Sequence, residues 1–214
     1  MHILVKYKLK GFFYIQIIFI FSILCGINPL FSQSDSLILK VHFLYGSKPA
    51  KHYKKTESKY FGGLHGGHVT IELENIDYGF SPSGKVHIFA HKKNYHGAFG
   101  FYDTQGKEPY TNEEKYAIVK IPISKNDAIK VKEIFEKYLE LTPYDYAFFG
   151  MRCAAAANDV LSQIGLQKKR GKFGYVIRTF YPKKLRKRLF KLAKEKKYTV
   201  FINEGKPSRK WEKD

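Results

Sequence analysis

The run LILKVHFLY at 37–45 places Leu39, Val41 and Phe43 on one face at every second position, the period of a strand buried on one side. HVTIEL at 68–73 and IDYGF at 76–80 read the same way, and only Glu74-Asn75 separates them, so they form a hairpin. VHIFA at 86–90, after the Ser81-Pro82-Ser83-Gly84 turn, and YAIVKI at 116–121 add strands. The stretches 46–67, ending in the glycine-rich FGGLHGG, and 91–114 read as loops. Helical spacing then takes over. Ile129, Ile134, Phe135 and Tyr138 predict a helix over 125–141, capped by Ser124 or Asn126 and stopped by Thr142-Pro143. A second helix runs from Cys153 to Ile164 and ends at Gly165. Its four alanines, Ala154–Ala157, make it thin enough to pack closely on a sheet. A third begins near Pro182 with Leu185, Leu189 and Leu192 on one face; YTVFIN at 198–203 is a last strand, and the lysine-rich end is expected to fray. Strands followed by helices predict an α+β domain with an antiparallel sheet packed by helices.

Residues 1–32 read as a targeting segment. Lys6, Lys8 and Lys10 precede an apolar run from Phe12 to Ile27, and Pro29 and Ser32 lead into the polar Gln33-Ser34-Asp35. That is the order of a secretory signal peptide, with an uncleaved anchor as the competing reading. Leu24 before Cys25 is too large for a lipoprotein signal. The domain proper then spans 33–181, followed at 182–214 by a basic amphipathic helix, the terminal strand and a tail. The expected location is outside the cytosol: periplasm, outer surface or extracellular.

Removing 32 of the 214 residues takes three of the 38 Lys+Arg and none of the 19 Asp+Glu, leaving 182 residues and a formal charge of +16. Such a charge points to anionic surroundings or partners. Removal also takes Cys25, so Cys153 is left alone and no intramolecular disulfide can form. A lone thiol in an exported chain is either a small buried hydrophobe or a reactive group.

The position of Cys153 distinguishes these readings in part. It stands where the loop YDYAFFGMR gives way to a helix, and a thiol there meets unpaired backbone N–H groups and the positive end of the helix dipole. Both favour thiolate, and the same amides can stabilise an oxyanion. A nucleophilic thiol also needs an imidazole within reach to accept and return a proton. His68 is the candidate, because it opens a strand directly after Gly66-Gly67. Its alternative is a solvated histidine at a strand start.

With GGHVTIEL ahead of a short hairpin and PYDYAFFGMRCAAAANDVLSQIG towards the C-terminal side, the chain resembles circularly permuted NlpC-type papain-like cysteine hydrolases, the group that includes the lecithin retinol acyltransferase-like enzymes. The resemblance covers about residues 60–166, and FYPKKLRKRL at 180–189 is similar to a helix that follows the cysteine helix there. It implies a permuted papain-like fold, a nucleophile at Cys153, a general base at His68, and amide or ester hydrolysis or acyl transfer through a thioester. Peptidoglycan stem peptides or lipid acyl groups would be the substrates, and no cofactor is implied. Two departures stand out. Arg152 occupies the place of the group's usual Asn. The third polar residue, which orients the histidine from the neighbouring strand, has no single match: Asp77 is placed first, with Glu72 and His87 as alternatives.

Other signals carry less. His65-x-x-His68 and His87-x-x-x-His91, with Glu72 or Asp77 as oxygen ligand, have the residue types of a zinc site but no helical zinc motif, and no metal is expected. The helix at 183–197 carries nine basic residues and the single acid Glu195. It reads as a solvated face, as a surface for an anionic membrane, or as a nucleic-acid contact; no nucleic-acid motif accompanies it, so nucleic acid is not an expected partner. The expectation is therefore an exported thiol hydrolase. The alternative is a non-catalytic cationic protein that binds an anionic envelope surface.

Overall fold

The computed structural model describes residues 36–58, 67–91, 93, 96–171, 174–175 and 181–214; the expected targeting segment 1–32 and the FGGLHGG glycines before Gly67 lie outside them. The strands are β1 (Leu37–Tyr45), β2 (Ser47–Pro49), β3 (Gly67–Leu73), β4 (Ile76–Pro82), β5 (His87–Phe89), β6 (Gly97–Asp103), β7 (Lys115–Ile123), β8 (Ala147–Phe149), β9 (Thr199–Glu204) and β10 (Arg209–Trp211). The helices are α1 (Lys125–Glu140), α2 (Cys153–Gln163) and α3 (Pro182–Lys196). The fold is α+β. Its main sheet has six strands in the order β6-β4-β3-β1-β7-β9, and every neighbouring pair is antiparallel.

The register follows from the alternation. Val41 of β1 faces Ile71 on one side and Val119 on the other, and Phe43 likewise faces Val69 and Ala117. These rows form one apolar face, fully buried together with Leu39, Leu73 and Ile121. All three helices contribute to its cover, with Val131 and Phe135 from α1, Val160 and Leu161 from α2, and Leu185 and Leu189 from α3. The β3–β4 hairpin turns through Glu74 and Asn75, both at positive φ (51° and 68°). Two such residues match the right-handed twist of paired strands.

The helix ends have local causes. Ser124 caps α1, its Oγ accepting the Asp127 N–H at 3.1 Å. Gly165 supplies the positive φ of 76° just past α2. Ala154–Ala157 are all buried; four consecutive residues go round the helix once, so the N-terminal half of α2 is enclosed all round rather than along one stripe, while Gln163 near its end is exposed. In α3, Leu185, Leu189 and Ala193 enter the core while Lys184, Lys187, Lys191 and Lys194 are exposed. None of the described helices is long and apolar enough to cross a membrane.

Three expectations are corrected. Residues 97–103, read as loop, form β6 and pair with β4 over seven residues. Gly97 and Gly100 disguised the strand. A Cβ on Gly97 would lie 2.7 Å from the Tyr144 carbonyl oxygen and 2.8 Å from the Phe80 ring, so close packing excludes a β-forming side chain there. VHIFA does make a strand, but β5 stands outside the main sheet and pairs in parallel with β8. The C-terminal end does not fray. β10 pairs with β2, and Arg186, fully buried on α3, donates to Asp214 (2.7 Å) and Glu212 (3.1 Å). Its guanidinium lies 3.6 Å from the Tyr45 ring centre, and the Tyr45 hydroxyl donates to Asp214 at 2.8 Å.

Glu57 ties this end down again. Ser208, Lys206 and Arg209 all donate to its carboxylate, and these hydrogen bonds hold its pKa at about 2, below the ordinary 4.5. A depressed folded-state pKa contributes stability that is present in full above the unfolded value and fades as the pH falls through the folded one. Glu57→Gln is therefore expected to lower the melting temperature at pH 6, and the gap from the parent chain should close between pH 4.5 and 2. Thermal denaturation followed by circular dichroism checks this.

Candidate functional site

β3 carries two sets of side chains. Val69, Ile71 and Leu73 enter the core, while His68, Thr70 and Glu72 project from the opposite face. Thr70 stands across from His42 of β1 and Gly79 of β4, and Glu72 from Lys40 and Asp77. Although polar, much of this face is enclosed: His42, Thr70, Glu72 and Asp77 are all buried. The Tyr110 ring meets His42 edge-on at 6.4 Å.

β3 and β4 pair only from Leu73↔Ile76 to Thr70↔Gly79. β4 continues along β6 as far as Pro82↔Gly97, so the β3–β4 ladder stops short of His68. At this opening the N-terminus of α2 brings in Cys153. The Val69 N–H and the His68 ring both hydrogen-bond to its sulfur. The ring lies over Gly79, where a Cβ would meet His68 Nε2 at 3.4 Å and Thr70 Cγ2 more tightly at 3.1 Å. On its inner side the sulfur borders a small apolar cavity lined by Val69, Ile71, Phe80 and Ala157.

Electrostatics decide the state of the pair. Burial works against thiolate and is the largest influence on Cys153. The hydrogen bond and charge of His68, the Val69 N–H and the Arg152 guanidinium together outweigh it, so the thiol pKa lies below its ordinary value. His68 is affected in the opposite sense. Burial disfavours imidazolium, but the hydrogen bond to Cys153, the Cys153 charge and the Asp77 charge raise its pKa above the ordinary one. Each group stabilises the charged form of the other, so both shifts run towards the thiolate–imidazolium pair. The first turn of α2 adds peptide N–H groups beside the sulfur: Ala156 N–H already bonds Arg152 O, whereas those of Cys153, Ala154 and Ala155 precede the first intrahelical bond.

The three candidates for a third residue have different fates. Asp77 lies near enough to His68 for its charge to act on the ring, but it makes no hydrogen bond to it, and its Oδ1 is buried without a hydrogen-bond partner. Burial raises the Asp77 pKa and Glu72 adds to this, while His42, Thr70 and His68 oppose it. Glu72 is engaged elsewhere. It accepts from Lys40 Nζ at 2.6 Å and bonds His42 Nε2 at 2.9 Å; burial would raise its pKa, but these bonds hold it below the ordinary carboxylate value. His87 bonds Asp145 at 2.8 Å and is no partner of His68. Two neighbours went unnoticed in the sequence. His42 alternates with core residues in an apolar strand and gives no sign of its polar surroundings. Tyr110 lies in a segment without periodicity, and burial, then the Asp77 charge, keep its hydroxyl protonated.

No protein-family model, no curated protein and no solved structure matches the chain.

Because the Cys153 pKa depends chiefly on His68 for its lowering, His68→Ala is expected to move the midpoint of iodoacetamide alkylation up to or above the free-thiol value of about 8.5, with about a tenfold or greater loss of rate at pH 6.5. Asp77 acts by charge without a hydrogen bond, so Asp77→Asn should slow alkylation at that pH by a factor of only about two to five. Rates measured from pH 5 to 10 on the three proteins check both statements.

Proposed function

We propose that the chain is an exported cysteine hydrolase or acyltransferase of the circularly permuted NlpC-type papain-like group, acting on amide or ester bonds. The observation that carries the reading is the placement of Cys153 as the first residue of α2 within hydrogen-bond reach of the His68 ring, where each favours the charged form of the other. Further support comes from the order of the parts, with the histidine strand ahead of the cysteine helix, and from the antiparallel sheet on which α2 packs.

The chemistry runs as acyl transfer. The Cys153 thiolate attacks the carbonyl carbon, and a C–S bond forms while the carbonyl π electrons move to oxygen. The first-turn amides of α2 receive that oxyanion. Its collapse expels the leaving amine or alcohol, which takes the proton from the His68 imidazolium. His68, now neutral, draws a proton from water, and hydroxide adds to the thioester. Loss of the thiolate releases the carboxylic acid and restores the ion pair. Asp77 favours the imidazolium by charge, and Arg152 favours the thiolate. Substrate classes consistent with this chemistry are the amides of peptidoglycan stem peptides and the acyl esters of lipids, and the positive charge of the chain suits either on an anionic envelope surface.

The test is a trapped acyl-enzyme. The chain is mixed with p-nitrophenyl acetate, a stem-peptide amide or a short-chain phospholipid at pH 6 and quenched in acid. At least one substrate is expected to add its acyl mass to Cys153 and release its leaving group over repeated turnovers. Cys153→Ser should abolish the adduct, and His68→Ala should reduce its formation about 10²–10⁴-fold. An adduct that forms equally well without His68, or no adduct and no turnover with any of the three, would overturn the reading.

A further inference from the structure

A second group of titratable side chains lies where β5 meets the segment leading into β8. Asp145 is 1% exposed. Its Oδ2 is bonded to His87 Nδ1 at 2.8 Å and to the His91 backbone N–H at 3.1 Å, and its Oδ1 accepts the His96 backbone N–H at 2.9 Å. The His87 ring meets those of His91 and His96 edge-on, with centres 4.4 and 4.3 Å apart. One ligand atom each from His87, His91 and Asp145 lies within 4.8 Å of the other two.

Two imidazole nitrogens and one carboxylate oxygen are a donor set that zinc and similar borderline cations take. Bonds of about 2.0–2.2 Å to one ion set its ligands roughly 3–3.5 Å apart. His87 and Asp145 are already near that spacing, and a side-chain rotation of the exposed His91 closes the remainder. The carboxylate is also held from behind. Backbone N–H groups fix both of its oxygens, as the outer partners of a ligating carboxylate do. The turn before β5 closes against the same cluster: Ser83 N–H donates to His96 O at 2.9 Å, and a Cβ on Gly84 would fall 2.2 Å from His96 Nδ1.

We propose that His87, His91 and Asp145 bind one divalent transition-metal ion of the zinc class, with His96 as the adjacent imidazole. The ion joins positions 58 residues apart and fixes β5 to the segment that leads through β8 into the Cys153 helix. Its role is a structural staple, independent of whether Cys153 catalyses acyl transfer. Binding to the folded chain stabilises it by mass action.

Untagged full chain carrying Cys153→Ser, so that no thiolate competes, is stripped with chelator and titrated with Zn(II), and with Co(II) as a spectroscopic probe. One equivalent of Zn(II) is expected to bind at micromolar or lower Kd and to raise the melting temperature by about 3 °C or more. Co(II) should give d–d bands without a sulfur charge-transfer band. His91→Ala should weaken Zn(II) binding at least tenfold, and should change the metal-free melting temperature by less than Zn(II) raises that of the parent, because the His91 ring is exposed and meets His87 edge-on. His87→Ala should weaken it similarly, and His68→Ala should not. Unchanged affinity in His91→Ala, binding lost only in His68→Ala, or no thermal shift with Zn(II) would overturn the proposal.

Discussion

The site depends on where the β3–β4 ladder stops. Up to Thr70↔Gly79 the two strands share their hydrogen bonds; beyond it the edge of β3 turns to the sulfur of Cys153, which takes the Val69 N–H. This opening is what lets a helix packed on the apolar face deliver its first side chain to a histidine on the polar face. If the ladder ran on past His68, α2 would pack on the same sheet and its thiol would be a small core hydrophobe.

Within that opening, burial and charge compete. Burial is the largest influence on Cys153, His68 and Asp77, and for all three it favours the neutral form. Charge prevails for the Cys153–His68 pair because each partner supplies both a hydrogen bond and an opposite charge. It does not prevail for Asp77, which has a buried, unpartnered oxygen and a like-charged neighbour in Glu72. Glu72 avoids that fate through its bonds to Lys40 and His42. The polar face thus holds Glu72 below the ordinary carboxylate range and Asp77 above it, and Asp77 acts on His68 through charge without a hydrogen bond.

Much of this was legible from side-chain period. The alternation in 37–45 and 68–80 located three strands and a hairpin, and it fixed which face turns inward, because a one-residue slip would turn Val41 or Ile71 out of the core. Helix limits followed from Ser124, Thr142-Pro143 and Gly165. Cys153 at a helix start and His68 at a strand start after two glycines were legible as candidates, and their pairing was what the resemblance implied. What escaped depends on contacts remote in sequence. β6 was hidden because Gly97 answers to Phe80 and Tyr144 rather than to strand propensity, and the ordered C-terminus because Asp214 pairs with Arg186 and Tyr45. Asp145 as the partner of His87 was equally unreadable, for their spacing follows no motif.

Cys153 and His68 stabilise each other's charge, and everything the site can do chemically rests on that. The most direct measurement is the NMR titration of the His68 imidazole in the parent chain and in Cys153→Ala. The predicted result is a His68 pKa above the ordinary imidazole value in the parent and a clearly lower one in the variant, where only the Asp77 charge still opposes burial. A ring that titrates at the same pH in both proteins would show that no such pair exists.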